Sequence, residues 1–376
     1  MKLLFVNHLA QFARSTYTIS KYVQVAPELG HEAAIFGEAD TEVAALPYSL
    51  DVKNFDFAVL VVHIPSDFPD LPYLARLLDQ MPRERRVVID CLGRYNETIR
   101  IEHDFNHLEK LDGHQGWEWV EGLQALSDVI LQPSLKPLRG DVRPFLFHGF
   151  DAAAVMRPYR TAQEAALAWA DTNGVGKRYG MAYVGNNWQR WTQMRPFLES
   201  IEPIRDELGP MLIAGCDWAQ RPDWDVQLGL HGADVDPDLL IRAGIQTREA
   251  VPFGQVTALM SEARFCPIFH RPLFNYLGMV TNRTFETFCA DTIPALMLPE
   301  EIVETIYGPD ARPLMPRDDT AGWMKDVIRR PEPYWDAVLK TRDNLARNHS
   351  YQQRFKELTG ILEGCPDRQR FGQHAG

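Results

Sequence analysis

Several features that would narrow this 376-residue chain at once are missing from it. Cysteine is scarce. The five present, Cys91, Cys216, Cys266, Cys289 and Cys365, are odd in number, widely spread and form no C-x-x-C pair, which argues against a disulfide framework and a structural zinc site. No H-E-x-x-H and no His/Cys cluster occurs, so no metal is expected. Long hydrophobic runs are absent too: stretches such as Phe57 to Val62 stop far short of the roughly 20 residues of a membrane span. Met1-Lys2 leads into a strand-like run without a small-residue cleavage site, so a soluble cytoplasmic protein is the expectation. Positive charge is in deficit, 39 Lys plus Arg against 51 Asp plus Glu, and the net charge of -12 opposes broad binding to polyanions while leaving room for a local basic cleft. With no low-complexity tract, 45% hydrophobic and 24% charged residues, the chain reads as folded and globular.

The usual nucleotide signatures are also missing. The first strand-like run ends in Asn7-His8-Leu9-Ala10-Gln11, without the G-x-G-x-x-G turn that seats a dinucleotide pyrophosphate. Gly174-Val175-Gly176-Lys177 has the Gly-Lys of a phosphate loop, but Asp171 replaces its first glycine and Arg178 follows the lysine, so it reads as a linker turn.

What is present is alternation. Single hydrophobic cores rarely grow past roughly 250 residues, so this length implies two domains. Strand candidates at Lys2 to His8, Glu32 to Phe36, Phe57 to Val62, Arg86 to Asp90, Val129 to Leu131 and Pro144 to Phe147 alternate with helical or loop-rich stretches. A second series has strands at Ala182 to Val184, Met211 to Ala214 and Phe265 to Phe269, with helices near Trp188 to Leu208 and Val256 to Glu262 between them. The expectation is two Rossmann-like doubly wound α/β domains, 1–155 and 156–345, with a C-terminal helix and tail at 346–376 and a binding cleft at the strand carboxyl ends.

The chemically informative segment runs from Gly278 to Pro294. Phe285, Phe288 and Cys289 share one helical face and would pack on a sheet, while Arg283 and Glu286, three apart, share a neighbouring one. With Thr281 or Asn282 as cap, the free amides and positive dipole end favour an anion, and Arg283 adds charge there. Glu286, one turn in, could accept hydrogen bonds from vicinal hydroxyls such as those of a ribose. A surface ion pair on a capped helix fits the same spacing.

The segment Thr281-Asn-Arg-Thr-Phe-Glu-Thr-Phe-Cys-Ala-Asp-Thr-Ile-Pro294 resembles the nucleotide-binding helix of GT-B fold glycosyltransferases, closest to the CgeB-like group with its R-T-F-E-A-x-A-C-G pattern. Asn348-His349-Ser350-Tyr351-Gln-Gln-Arg354 is similar to the H-T-Y-x-x-R element near the end of those chains, and Gly180 to Trp188 to the strand and glycine turn that open their second domain. The specific similarity covers about half of the chain. It implies metal-independent transfer of a glycosyl group from a nucleoside diphosphate sugar, most simply a UDP-sugar, to an acceptor hydroxyl, with C-terminal helices packing back toward the N-terminal domain. It assigns Glu286 to the donor ribose, and Thr281, Asn282, Arg283, Gly185, Asn186, Asn187 and Arg190 to the donor nucleotide. His270 and Arg271 lie in the loop before that helix, and Arg271 suits the diphosphate charge. Two departures stand out: Asp291 replaces the pattern's glycine, and Gly278 stands eight before Glu286, where the related E-x7-E enzymes carry their first glutamate.

An inverting enzyme also needs a base from the N-terminal half. Asp90, His63 and His8 end predicted strands facing the cleft, Asp90 being preferred because the polar loop Gly93-Arg94-Tyr95-Asn96 follows it. Each has an ordinary alternative as a loop or capping residue. The pair His103-Asp104 is a further choice, and Trp117 and Trp119, in a loop-like stretch, could stack on a sugar or base. A nucleotide-sugar epimerase and a non-catalytic nucleotide or sugar binder remain alternatives. A modified base in DNA is a minor acceptor variant, prompted by Arg83, Arg85, Arg86, Arg94 and Arg100.

Overall fold

The computed structural model describes residues 1–7, 15–38, 46–63, 73–96, 113–170, 177–227 and 231–364. His8, Arg100, His103-Asp104 and the Gly174 to Gly176 turn lie outside the described residues.

Two parallel sheets form, one from each series. The first contains β1 (Lys2–Asn7), β2 (Glu32–Phe36), β3 (Tyr48–Ser49), β4 (Phe57–Val62), β5 (Arg86–Asp90), β6 (Val129–Gln132) and β7 (Val142–Pro144), in the order β3-β2-β1-β4-β5-β6-β7. The second contains β8 (Tyr179–Val184), β9 (Met211–Ala214), β10 (Ile245–Arg248), β11 (Ala263–Phe269) and β12 (Ile293–Met297), in the order β10-β9-β8-β11-β12. Every residue of β4 and of β8 is buried, as expected of parallel strands covered on both faces. Side-chain alternation divides the first domain's core in two: Leu3 and Phe5 pack on one side of the sheet, Leu4 and Val6 on the other.

Three strands escape the apolar patterns. β3 is two residues long, β10 is a polar edge strand of sequence Ile-Gln-Thr-Arg, and β12 contains Pro294, tolerated because β12 pairs only with β11. The strand expected at Pro144 to Phe147 is shifted to Val142–Pro144, with Phe145 and Phe147 buried beyond it. The stretch around Trp117 and Trp119 is the helix Gly113–Leu126, not a loop.

The chain crosses between domains twice near the same place. Phe147 packs in the first core and Phe150 in the second; on the return, Leu345 of helix Glu332–Asn348 packs in the second core, and Tyr351, Phe355, Leu358 and Leu362 of helix Tyr351–Glu363 in the first. The crossings are hydrogen-bonded to each other, Phe150 N–H donating to the His349 carbonyl at 2.7 Å. A second seam joins residues 133–136 to 277–280: Leu135 N–H donates to Gly278 O at 2.9 Å, Lys136 N–H to Leu277 O at 3.2 Å, and Val280 N–H to Pro133 O at 2.7 Å. Gly278 is needed here twice over. Its φ of +59° is left-handed, and a Cβ would stand 3.1 Å from the Leu135 Cβ. The position that carries a glutamate in E-x7-E enzymes is therefore occupied by an interdomain backbone contact.

Asp291, the other departure from the pattern, has a structural explanation as well. Its carboxylate is 2.8 Å from Lys177 Nζ, with both side chains almost fully buried, and accepts from Tyr159 Oη at 3.0 Å. Burial lowers the Lys177 pKa against the pull of Asp291. The lysine of the Gly-Lys dipeptide thus serves this buried pair. Removing one member strands the other charge, so Asp291→Gly should cost about 3–5 kcal/mol in urea unfolding; an unchanged midpoint would contradict this account.

Three buried histidines line the domain junctions and the strand ends. Burial lowers His148 to about 3, burial with the Arg190 charge lowers His270 to about 3, and burial with the Arg354 charge lowers His349 to about 4. In the unfolded chain each takes its proton near 6.5, so between that value and the folded ones the unfolded state binds more protons. Stability is therefore fully present above about pH 6.5 and lost as pH falls below it. The urea midpoint should drop between pH 7.5 and 5, and less steeply in His148→Gln; a flat profile would refute the assignment.

Candidate functional site

In each sheet the strand order reverses once, between β1 and β4 and between β8 and β11. A crevice opens at such a switch point, outside the carboxyl ends of the strands. In the second domain it is bordered by the loop after β8, the residues after β11 and the start of helix Asn282–Cys289.

The loop after β8 is braced by the loop after β9. Gly185 N–H donates to Ala214 O at 2.8 Å, and a Cβ on Gly215 would stand 2.2 Å from the Gly185 carbonyl, so the turns touch backbone to backbone. Asn186 is exposed and accepts from Cys216 N–H at 3.0 Å. Asn187 is fully buried: its side-chain amide donates to the carbonyls of Asp217 and Asp234, both at 2.9 Å, while Oδ1 has no partner among the described residues. Arg190 donates from Nη1 to Asn186 O at 3.2 Å, and its buried Nε also lacks a partner among the described residues.

At the end of β11, His270 and Arg271 are both buried. His270 Nε2 is 3.3 Å from Thr284 Oγ1, and its Nδ1 is buried without a partner among the described residues. The imidazole is neutral at ordinary pH for the reasons given above. Arg271 donates to Gln189 Oε1 at 3.3 Å and, across the cleft, to the Leu92 carbonyl at 3.2 Å, with its guanidinium 4.0 Å from the centroid of the Phe274 ring. It ties the β8 loop of one domain to the segment after β5 of the other.

The third border is the helix itself. Thr281 is its N-cap, in an extended conformation, and Thr281 N–H donates to Thr284 Oγ1 at 3.2 Å. The amides of Asn282 and Arg283 have no intrahelical acceptor by helix geometry, and the positive dipole end favours negative charge. Phe285, Phe288 and Cys289 pack in the second domain's core, as their spacing predicts. Arg283 and Glu286 do form an ion pair, at 3.1 Å, but inside the protein: Glu286 is 7% exposed. Asn282 Nδ2 donates to Glu286 Oε1 at 2.7 Å, leaving each carboxylate oxygen with one donor and further acceptor capacity. Burial raises the Glu286 pKa, opposed by Arg283 and Asn282.

The ten sequence-selected residues Gly185, Asn186, Asn187, Arg190, His270, Arg271, Thr281, Asn282, Arg283 and Glu286 stand on the three segments that border this crevice, linked by the His270–Thr284 and Arg271–Gln189 bonds, while the Asn186 and Asn187 side chains bond toward the loop after β9 and Asp234. The N-terminal selections behave differently. Asp90 is 0% exposed and its Oδ2 accepts from Tyr95 N–H at 2.7 Å and Gln132 Nε2 at 2.8 Å; Gln132 in turn accepts from Asn96 at 2.9 Å. The carboxylate holds the turn that follows β5. His63, also buried, is 2.7 Å from Ser15 Oγ. Arg83, Arg85 and Arg86 sit at the amino end of β5, away from the cleft, where Arg83 pairs with Asp128 while Arg85 and Arg86 donate to main-chain carbonyls. They do not form a basic surface beside the strand carboxyl ends.

Residue patterns missed Gln189, which takes the Arg271 bond from a left-handed backbone at φ 53°, and Tyr17, whose ring lies 4.4 Å from that of Phe253 in the other domain. Neither stands in a spacing that signals chemistry.

No known family profile matches the chain, and no curated protein matches it in sequence. Solved structures do match in fold. An alpha-glucosyltransferase in complex with UDP is similar at a TM-score of 0.61 and 10% identity, over 96% of this chain and 98% of that one. An alpha-glucosyltransferase with UDP and a 13-mer DNA containing an HMU base gives 0.62 at 11% identity, over 96% and 98%. The beta-glucosyltransferase of T4 phage with UDP and Mn2+ gives 0.52 at 12%, over 97% and 100%. Both domains are included in these matches, and the chain has the two-domain GT-B fold of these glucosyltransferases.

Proposed function

We propose that this protein is a glycosyltransferase that moves a hexosyl group from a nucleoside diphosphate sugar, with UDP as the carrier, to an acceptor hydroxyl, and that within the GT-B fold it belongs to the CgeB-like group. The observation that carries the reading is the buried Glu286 carboxylate one turn inside a helix N-terminus, with one donor on each oxygen, on a helix that His270 joins through Thr284 and that borders the same switch-point crevice as the segments of Arg190 and Arg271. Such a carboxylate suits a ribose diol, and cations and free amides next to it suit a diphosphate.

The reaction places negative charge on the departing diphosphate as the anomeric carbon becomes oxocarbenium-like. In this reading Arg190, Arg271 and the Asn282 and Arg283 amides meet that charge, and the reaction needs no resident metal. Asp90, already holding the Tyr95 turn, is less suited to a base than the notional one its sequence position suggests; His63, close to Ser15, retains that role in our reading.

Three of the similar structures contain DNA, one with an A:G mismatch, one with an HMU base and one with an abasic site. They favour a hydroxylated base in DNA as the acceptor, a reading that draws no support from Arg83, Arg85 or Arg86. An epimerase would interconvert the nucleotide sugar without any acceptor, and a non-catalytic binder would hold UDP without turnover.

Glu286→Ala should weaken UDP tenfold or more by titration calorimetry, a loss of about 1.4 kcal/mol or more, with Glu286→Gln intermediate and the melting temperature of the Gln variant close to wild type. Wild-type affinity in both variants would overturn the assignment. Transfer of glucose from UDP-glucose to DNA containing hydroxymethylated pyrimidine should persist in EDTA; activity abolished by EDTA and restored by Mn2+ would reverse the metal-independent part.

A further inference from the structure

Tyr17 begins helix Tyr17–Val25 in the N-terminal domain, yet its ring lies across the cleft against Phe253, centroids 4.4 Å apart and planes inclined by 32°. Phe253 precedes helix Val256–Ser261, whose Met260 sulfur accepts from Arg283 Nη1 at 3.6 Å. The aromatic contact therefore closes on the same part of the donor domain that holds the Arg283–Glu286 pair. Lys21 Nζ also lies over the Tyr17 ring, 5.1 Å from the centroid, and Lys21 is held by Asp151 at 2.7 Å. Phe253 and Lys21 both contact the ring, and the hydroxyl stands at its edge.

The hydroxyl on that edge has no partner among the described residues, although Tyr17 is half buried. Burial, with the charges of Asp151 and Glu286, raises its pKa well above the ordinary tyrosine value. It is thus an O–H donor throughout the working pH range. Asp151, the partner of Lys21, also accepts from Cys289 Sγ at 3.5 Å through its carbonyl, and Cys289 belongs to the helix that carries Glu286.

We propose that Tyr17 is a donor-binding residue contributed by the N-terminal domain, its hydroxyl donating to a ribose hydroxyl oxygen of the nucleotide held at Glu286. This rests on the reading of Glu286 above and extends it, because the ribose then touches both domains. Glu286 accepts from the diol while Tyr17 donates to it, so the diol's donor and acceptor capacities are used from opposite sides of the cleft. The Tyr17–Phe253 ring contact sets how far apart those two groups stand, which makes nucleotide affinity depend on a residue outside the donor domain.

Calorimetric titration of UDP, 2′-deoxy-UDP and 3′-deoxy-UDP into wild type, Tyr17→Phe and Glu286→Ala tests this. Tyr17→Phe keeps the ring on Phe253, so the melting temperature should stay at the wild-type value while UDP binds about tenfold more weakly, and the penalty should vanish for one of the two deoxy analogues. Wild-type affinity for UDP in Tyr17→Phe, with Glu286→Ala impaired, would overturn the Tyr17 assignment and leave the site intact. A penalty equal for all three nucleotides would overturn the ribose contact. Wild-type affinity in Glu286→Ala as well would instead remove the reading of the site on which the inference rests.

Discussion

The cleft depends on a short antiparallel contact between residues 133–136 of one domain and 277–280 of the other. Three main-chain hydrogen bonds and the left-handed Gly278 turn hold the carboxyl ends of the two sheets face to face, and Arg271 reaches across the resulting gap to the Leu92 carbonyl. Main-chain bonds of this kind have no rotamer freedom, so the distance between facing loops is set by backbone geometry rather than by side chains that could rearrange. Packing reinforces the seam: Leu273, Phe274, Leu277 and Met279 bury themselves against Leu92 and Leu138 of the other domain. The departure from the E-x7-E pattern at Gly278 is part of this constraint.

On the proposed reading an acidic chain that holds a diphosphate must gather positive charge locally, and Arg190, Arg271 and Arg283 are the residues it would use. None stands free. Arg283 is balanced by Glu286, Arg271 bonds to Gln189 and Leu92, and Arg190 bonds to the Asn186 carbonyl. This arrangement fixes each guanidinium before any ligand arrives, and its position does not then have to be established at an entropic cost on binding. Burial, with the Arg190 charge, keeps His270 neutral, so among the described residues of the crevice the positive charge comes from arginine and from the helix amino end rather than from imidazole.

How much of this was legible in the sequence differs sharply between the two halves. The helix at Asn282–Cys289 could be found because cap, ion-pair spacing and apolar face are local quantities, all written within one and a half turns. Asp90 could be recognised as the polar end of an apolar strand, but position at a strand end does not reveal what its carboxylate bonds to; its partners are the Tyr95 amide and Gln132, and Gln132 is 42 residues away. Asp291 looked like a lost glycine because its partner Lys177 is 114 residues distant. Trp117 and Trp119 were misplaced in a loop because glycines at 113 and 116 mask a helical segment.

The sequence by itself determined the class of fold, the sites of most strands and the capped helix at Asn282–Cys289, since hydrophobic periodicity, caps and short motifs depend on neighbours a few residues apart. Only the tertiary structure decided which of the polar groups share a cleft. Tyr17 and Phe253 are 236 positions apart and meet at 4.4 Å, and Gly278 acquires its role from Leu135 in another domain. Contacts of that range follow from how two sheets are set against each other, which no local pattern encodes.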